Sequence, residues 1–320
     1  MVEAALLLLG IALFAGVGLG GGGGGGDDDA DGPIEPNLNS EGDNDTFEGS
    51  RFSEEFDGGP GLDFIEGRGG NDLLLGGNGA DTIDGNAGND TILGGQGPDS
   101  LLGGADDDTL RGEEGQDFIR GGEGDDGIFG GSESDSIEGA HGRDTITGGP
   151  GDDDVRGGSG DDTIDGDLGE DTLDGDPGDD VIDGRVLVAA TGTSNGVDTD
   201  DGDTLIGDNG ADTIFLGNGD IAFGEGEGTF TNPGGDTFVS GDWITGDAPQ
   251  ILDFDPANDE IELIYFTGNG LPMVEVETVV DAGETSFEVR MDGELVVIVR
   301  AGAAPGYTLQ PGDITLISDD

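Results

Sequence analysis

A nine-residue repeat is the feature that most constrains how this chain can fold. Cutting residues 58–183 at every ninth position gives fourteen units in one unbroken register. Position one is always Gly, position six is always Asp, and position eight is always Ile, Leu or Val. Position four is Gly except at Asp106 and Glu133. A repeat of fixed period indicates a solenoid, in which each unit buries its apolar side chain only by stacking on its neighbours.

Each unit has the composition of a tight turn followed by a short strand. Gly adopts positive φ without steric cost, so the first half can turn sharply and bring its carbonyl groups close to the Asp carboxylate. Over the last three residues, strand alternation points position eight to one face and positions seven and nine to the other. Two units then make one coil of eighteen residues. In GGPGDDDVR and GGSGDDTID, at 148–165, we expect Val155 and Ile164 to meet inside the coil.

The charge of the chain predicts that the array needs cations in order to fold. The 320 residues include 71 Gly and 74 acidic residues against nine Arg, for a formal net charge of -65. That composition is typical of disorder, yet a disordered chain has no reason to keep an apolar residue at every ninth position. Nucleic acid is excluded as a partner because there is no basic patch to contact phosphates. Carboxylate and carbonyl oxygens favour calcium over zinc or copper, so metal binding and folding are expected to be one event.

The units resemble the GGxGxDxUx nonapeptide of RTX proteins, the hemolysin-type calcium-binding repeat family, whose repeats form a parallel β-roll. The resemblance covers 58–183 without a gap, and GDNGADTIF at 207–215 is a later copy. It implies several calcium ions, each between a loop and the loop eighteen residues further on, held by position-six carboxylates and loop carbonyls. Near Asp106 and Glu133 the sites are expected to be less regular. The ligands that the resemblance implies are Asp63, Asp72, Asp81, Asp90, Asp99, Asp108, Asp117, Asp126, Asp135, Asp144, Asp153, Asp162, Asp171, Asp180 and Asp212.

Four further segments surround the array. Residues 1–26 hold an apolar run at 4–20 and a Gly-rich tether, and residues 27–57 form an acidic linker with degenerate repeats. The run at 4–20 is a candidate membrane anchor; a cleaved signal, which should begin with positive charge, and a buried helix are the alternatives. Residues 184–247 are an insertion with degenerate repeats. Residues 248–320 contain Val-, Ile- and Phe-rich runs that predict five or six antiparallel strands.

The predicted fold class is therefore all-β: a parallel β-roll followed by a mainly antiparallel C-terminal module. A solenoid needs a cap over its last rung, and residues 248–320 are the candidate cap. The segment at 242–263 resembles the element that closes many RTX arrays, and its Asp253, Asp255 and Asp259 either add metal ligands or end turns. The resemblance also implies an uncleaved C-terminal signal for a bacterial type I secretion system.

No catalytic motif stands out in the rest of the chain. His141 is the only His and lies within a repeat loop, so a two-His zinc helix is absent. The sequence GTSNG at 192–196 matches the GxSxG of lipases, but it lies in a polar insertion rather than between a strand and a helix. We therefore expect a secreted or cell-surface calcium-binding protein with a structural or adhesive role and no enzymatic activity. The alternative is a secreted hydrolase with its active site in 184–320.

Overall fold

The structure is a computed structural model that describes part of the chain. The described residues are 44–185, 187–189, 196–198, 202–224, 235–241, 244, 247–252, 254, 258–266, 272–281, 284–300, 309–311 and 314–319. Contacts divide the chain into Met1–Gly32 and Pro33–Asp320, and every described residue belongs to the second unit. The candidate anchor at 4–20, the linker up to residue 43, and Asp253 and Asp255 lie outside the described residues. A search of the described part for a helix long and apolar enough to span a bilayer finds none.

Short strands make up the regular structure of the described residues. The strands up to the end of the array are β1 (Thr46–Glu48), β2 (Glu55–Gly61), β3 (Phe64–Glu66), β4 (Leu73–Gly79), β5 (Thr82–Ala87), β6 (Thr91–Gln96), β7 (Ser100–Ala105), β8 (Thr109–Glu114), β9 (Phe118–Glu123), β10 (Gly127–Ser132), β11 (Ser136–His141), β12 (Thr145–Thr147), β13 (Asp154–Ser159), β14 (Thr163–Asp165), β15 (Thr172–Asp174) and β16 (Val181–Asp183). The later strands are β17 (Leu187–Ala189), β18 (Gly196–Asp198), β19 (Thr204–Ile206), β20 (Thr213–Phe215), β21 (Ile221–Phe223), β22 (Thr237–Gly241), β23 (Gln250–Ile251), β24 (Glu260–Phe266), β25 (Val274–Asp281), β26 (Glu284–Met291), β27 (Glu294–Arg300) and β28 (Ile314–Asp319).

Two parallel sheets run the length of the solenoid, one on each side. The first sheet has the order β1-β3-β5-β7-β9-β11-β13-β15-β19-β21-β23-β27-β26-β25, and the second has the order β2-β4-β6-β8-β10-β12-β14-β16-β20-β22-β24-β28. Within the array each strand pairs with the strand eighteen residues further on, as in Ile65 with Ile83 and Leu74 with Ile92. The predicted coil of two units, with one strand on each side, is confirmed by this register.

The core is a stack of single apolar side chains, one from each unit. All fourteen position-eight residues, from Ile65 to Ile182, are at most 2% exposed, as their alternation within the strand predicts. Phe47 and Phe56 occupy the same position in the coil before residue 58, and their rings stack with centroids 4.4 Å apart. The stacked core therefore extends to residues before 58.

The insertion after β16 widens one coil without breaking either sheet. β15 pairs with β19 and β16 pairs with β20 across 32 residues instead of eighteen. The additional residues include the antiparallel pair β17–β18. At the base of the insertion, Arg185 donates two hydrogen bonds to the Asp183 carboxylate, at 2.7 and 2.8 Å, and its guanidinium lies 4.2 Å from the ring centre of Phe215. An ion pair and a cation–π contact thus hold the chain where the repeat is interrupted.

The C-terminal strands extend the solenoid as well as closing it. β25, β26 and β27 form the antiparallel meander that the sequence predicts near the C-terminus. β23, β24 and β28 instead continue the parallel ladders, because Ile251, Ile261 and Leu263 keep apolar side chains in line with the core. Side chains alternate with the same two-residue period in parallel and antiparallel strands, so the sequence could not separate the two arrangements where one face of each sheet is exposed. The predicted boundary at residue 248 stays a prediction.

The core stack predicts unequal effects of truncation at neighbouring positions of one strand. Ile146 is 1% exposed, whereas Thr145 points outward. We expect Ile146→Ala to lower the free energy of unfolding by about 2–5 kcal/mol, because it removes buried methyl groups and leaves a cavity. Thr145→Ala should change it by about 0.5 kcal/mol or less. Urea unfolding in saturating calcium measures both variants, and equal losses would contradict the inward orientation of position eight.

Candidate metal centres

A ladder of buried carboxylates runs along each side of the solenoid. Each position-six Asp lies just before a strand, and its Oδ1 accepts a hydrogen bond from the backbone N–H of the Asp one coil earlier. Asp63 donates to Asp81 at 2.8 Å, and Asp81 donates to Asp99 at 2.7 Å. On the other side, Asp72 donates to Asp90 at 2.7 Å. Each carboxylate is thereby fixed against the backbone of the neighbouring coil.

The structure brings all fifteen ligands implied by the resemblance into these two ladders. Their exposed fractions are 4% or less, which is unusual for carboxylates. One ladder contains Asp63, Asp81, Asp99, Asp117, Asp135, Asp153 and Asp171. The other contains Asp72, Asp90, Asp108, Asp126, Asp144, Asp162, Asp180 and Asp212. Their role as metal ligands stays a prediction.

In fourteen of these fifteen carboxylates the second oxygen has no hydrogen-bond donor among the described residues. It is buried, and it lacks a hydrogen-bond partner among the described residues, in Asp63, Asp72, Asp81, Asp90, Asp99, Asp108, Asp117, Asp126, Asp135, Asp144, Asp153, Asp162, Asp180 and Asp212. A buried charged oxygen without a partner carries a large desolvation penalty. One such oxygen could be explained by local strain. The same unpartnered oxygen in fourteen ladder residues indicates instead a row of sites that a cation would complete.

Backbone carbonyls converge on the same place as the unpartnered carboxylate oxygens. At Gly76, position one of its unit, an added Cβ would lie 2.7 Å from the Asp81 Oδ2 and 2.6 Å from the carbonyl oxygen of Gly94, one coil further on. The same pair of oxygens surrounds Gly103, at 2.5 Å from Asp108 and 2.6 Å from Gly121. Gly at position one therefore leaves a small, oxygen-lined space between successive coils.

The chemistry of this space fits a hard cation with flexible coordination. Its ligand atoms are carboxylate and carbonyl oxygens, which calcium prefers, and Cys is absent from the chain. When bound, calcium would neutralise carboxylates that otherwise repel one another across successive coils. The position-six Asp would supply Oδ2, and the glycine carbonyls of the neighbouring coil would supply the neutral ligands.

Burial raises the pKa of thirteen of the fifteen ladder carboxyl groups when no metal is bound. Removal of the charged carboxylate from water is the largest cause of the rise. The hydrogen bond from a backbone N–H to each carboxylate lowers the pKa, and the negative charge of neighbouring carboxylates raises it further. The pKa is about 6 for Asp72, Asp126 and Asp153, about 7 for Asp90, Asp99, Asp108, Asp135 and Asp144, and about 8 for Asp180 and Asp212. The metal-free solenoid thus holds its ladders in an unfavourable charge state at neutral pH.

Two loops lack the Gly at position four but keep the conformation of the others. Asp106 and Glu133 have φ of 77° and 81°, in the left-handed region that Gly occupies in most of the other units. A non-Gly residue there costs about 1–2 kcal/mol, so the stacked neighbours hold both loops in place. The position-six carboxylates of these two units, Asp108 and Asp135, remain buried in the ladders.

The ladders also include four Asp residues outside the fifteen implied ligands. Asp203 accepts from Asp171, Asp220 accepts from Asp203, Asp236 accepts from Asp212, and Asp259 accepts from Asp236. The first three follow a Gly and precede an apolar residue by two positions, a Gly-Asp-x-apolar signal that survives where the nine-residue spacing is lost. Asp259 therefore continues a ladder, and its role as a metal ligand stays a prediction.

Comparisons with known proteins identify the repeat. A family model of the RTX calcium-binding nonapeptide repeat (HemolysinCabind), four copies long, matches residues 57–92, 66–101, 93–128, 129–164, 156–185 and 197–220. No curated protein matches the chain. Among solved structures, the extracellular lipase LipA from Serratia marcescens is similar with 15% sequence identity and a TM-score of 0.21. That similarity covers 74% of this chain and 45% of the lipase chain.

A ladder carboxylate and its exposed neighbour should respond differently to loss of charge. Asp108→Asn keeps the Oδ1 that accepts from Asp90 but replaces the unpartnered oxygen by an amide. We expect it to bind fewer calcium ions and to need more calcium for folding. The control Asp107→Asn removes the same charge from an exposed side chain whose Oδ1 accepts from Asp125, and should leave calcium stoichiometry unchanged. Calorimetric titration measures both; equal loss of calcium binding in the two variants would show that only net charge matters.

The raised pKa values predict an inverse pH dependence for the metal-free chain. The ordinary Asp value is 3.8, and the folded-state values lie at about 6 to about 8. Stability from these groups is therefore fully present below the ordinary pKa and is lost as the pH rises through the folded pKa values. In chelator, strand content and resistance to urea should increase as the pH falls from about 8 through about 6. In saturating calcium the trend should reverse, because protons displace the metal. Stability in chelator that rises with pH would contradict this account.

Proposed function

We propose, since this chain belongs to the family of proteins with RTX calcium-binding nonapeptide repeats, that it is a calcium-folded structural or adhesive protein acting outside the cell or at its surface. The observation that carries the proposal is the recurrent buried carboxylate oxygen without a hydrogen-bond donor. One such oxygen at each turn, beside glycine carbonyls, makes calcium a structural part of every coil.

Calcium supply would decide where the chain folds. Extracellular calcium modules typically bind at about 10⁻⁴ to 10⁻³ M, far above the free calcium level of a cytosol. The chain would stay unfolded inside the cell, because its carboxylates repel one another and its core is one side chain per unit. Export in the unfolded state through a type I secretion system, directed by a signal within 248–320, fits this dependence. Folding in external calcium would then retain the protein outside.

The proposed role needs no catalytic centre. Residues 184–320, where a hydrolase site was the alternative, contain no His, Cys or Lys. His141 is exposed on β11, and its Nδ1 lies 2.7 Å from the Ser159 hydroxyl on β13, its neighbour across the parallel ladder. The buried Ser240 donates its hydroxyl to the carbonyl of Val296. Both contacts hold strands together, and we assign neither of them a chemical step.

Circular dichroism during a calcium titration tests the proposal. In chelator at neutral pH we expect a coil spectrum, and in millimolar calcium the spectrum of β-strands, with one cooperative transition. Magnesium at the same concentration should be much less effective, because it requires rigid octahedral geometry and releases its waters reluctantly. A strand spectrum already complete in chelator, or absent in millimolar calcium, would refute calcium-coupled folding. Hydrolase assays beside cell and matrix binding, with and without calcium, separate the adhesive role from an enzymatic one.

A further inference from the structure

One face of the solenoid lacks the acidic side chains that most other strands of the array carry on their outward side. Five consecutive strands of the second sheet, β4, β6, β8, β10 and β12, carry no acidic residue at their outward positions seven and nine. We call this surface the acid-free face. Its side chains are Leu73, Leu75, Thr91, Leu93, Thr109, Arg111, Phe129, Thr145 and Thr147, with Gly127 completing the set.

The remaining strands of the array show how unusual this surface is. On the outer face of the first sheet, six of the eight strands from β1 to β15 carry an acidic residue at these positions: Glu48, Glu66, Asp84, Glu138, Asp154 and Asp174. The acid-free face itself ends at Glu55 and Asp57 on β2 and at Asp165 on β14. In a chain of net charge -65, five adjacent strands without an acid mark a surface with a different partner.

A groove of about 290 Å³ adjoins the acid-free face across β2, β4 and β6. Its lining includes Leu75 and Leu93, at position nine of their units, and Asn78 and Gln96, at position three. Position two of the repeat lies between these two sets of side chains, and on β4 and β6 it is Gly77 and Gly95. The missing side chains leave a gap in the outward row. On β8 position two is Glu113, which ends the groove. The groove thus combines apolar side chains with amide groups, and Asp57 and Glu113 line its two ends. Such a mixture orients a polar ligand on an apolar surface.

Charge restricts what can occupy this surface. An anionic partner is repelled by the whole molecule, and a cationic partner finds more carboxylates anywhere else on it. A second copy carries the same -65 charge. Five strands at about 4.8 Å spacing span only about 19 Å, so a face about 15 Å wide offers roughly 300 Å² against the roughly 800 Å² per partner of a stable interface. With charged partners and a second copy disfavoured, the occupant that fits this narrow row of strands best is an uncharged, extended ligand.

We propose that the acid-free face and its groove bind a neutral polysaccharide. Sugar rings present C–H surfaces that pack on Leu75, Leu93 and Phe129, and the ring of Phe129 is held by the Arg111 guanidinium at 4.3 Å. Sugar hydroxyls donate to and accept from Thr hydroxyls and the amides of Asn78 and Gln96. The proposal rests on the adhesive function proposed above, and it names the class of ligand to which the protein adheres.

Native gels containing one polysaccharide each, run in millimolar calcium, test the proposal with the full chain. The neutral probes are dextran, hydroxyethyl cellulose, glucomannan and laminarin, and polygalacturonate is the anionic probe. We expect retardation by at least one neutral probe and none by polygalacturonate. Leu93→Asp should weaken binding to that probe by about tenfold or more. The matched control is Leu102→Asp, at the same half-buried outward position on β7 of the first sheet, and it should bind as the parent chain does.

Circular dichroism of each variant in calcium keeps folding separate from binding. If the chain folds with calcium and no neutral probe retards it, the polysaccharide proposal is wrong while calcium-coupled folding stands. Equal weakening by Leu93→Asp and Leu102→Asp, or stronger retardation by polygalacturonate, also overturns it. Sedimentation velocity tests whether a second copy of the chain occupies this face instead. A dimer that Leu93→Asp dissociates and Leu102→Asp does not would assign the face to that second copy and overturn the polysaccharide proposal.

Discussion

Each coil of the nine-residue array buries a carboxylate oxygen that no described protein group satisfies. The ladder fixes Oδ1 of each Asp with a backbone donor, as between Asp108 and Asp90, and leaves Oδ2 facing a glycine and a carbonyl. A buried carboxylate of this kind is tolerated only when a cation or a proton completes it. The repeat therefore encodes a binding site and a structural unit with the same residues, and the two cannot be separated by mutation of the Asp.

The apolar core is too thin to hold the coils without that neutralisation. One side chain per unit, such as Ile146 or Ile164, meets its counterparts inside, while positions seven and nine face solvent. Gly at positions one, two and four lets the loops approach closely, at a large cost in chain entropy. Cation binding between coils would offset both this cost and the repulsion among carboxylates, and would link the folding of one coil to the folding of the next.

Much of this architecture could be predicted from the sequence. Invariant Gly, Asp and apolar positions were sufficient for the coil length and the inward row, and the resemblance to RTX repeats implied the fifteen Asp residues that form the ladders. The insertion at β17–β18 and the parallel course of β24 and β28 could not be predicted, because alternation does not specify the strand partner. Asp203 and Asp220 were missed because register was lost while the local Gly-Asp-x-apolar signal remained. The acid-free face needed the structure, since its five strands are eighteen residues apart in the sequence.

Anomalous diffraction from crystals grown in calcium, or with terbium as its substitute, tests the central claim most directly. The account predicts two rows of metal peaks along the solenoid, each peak between successive coils and within ligand distance of a position-six Oδ2 and glycine carbonyls, as beside Asp81 and Gly94. Well-ordered coils without peaks at these oxygens, or metal bound only to exposed carboxylates on the outer faces, would contradict it.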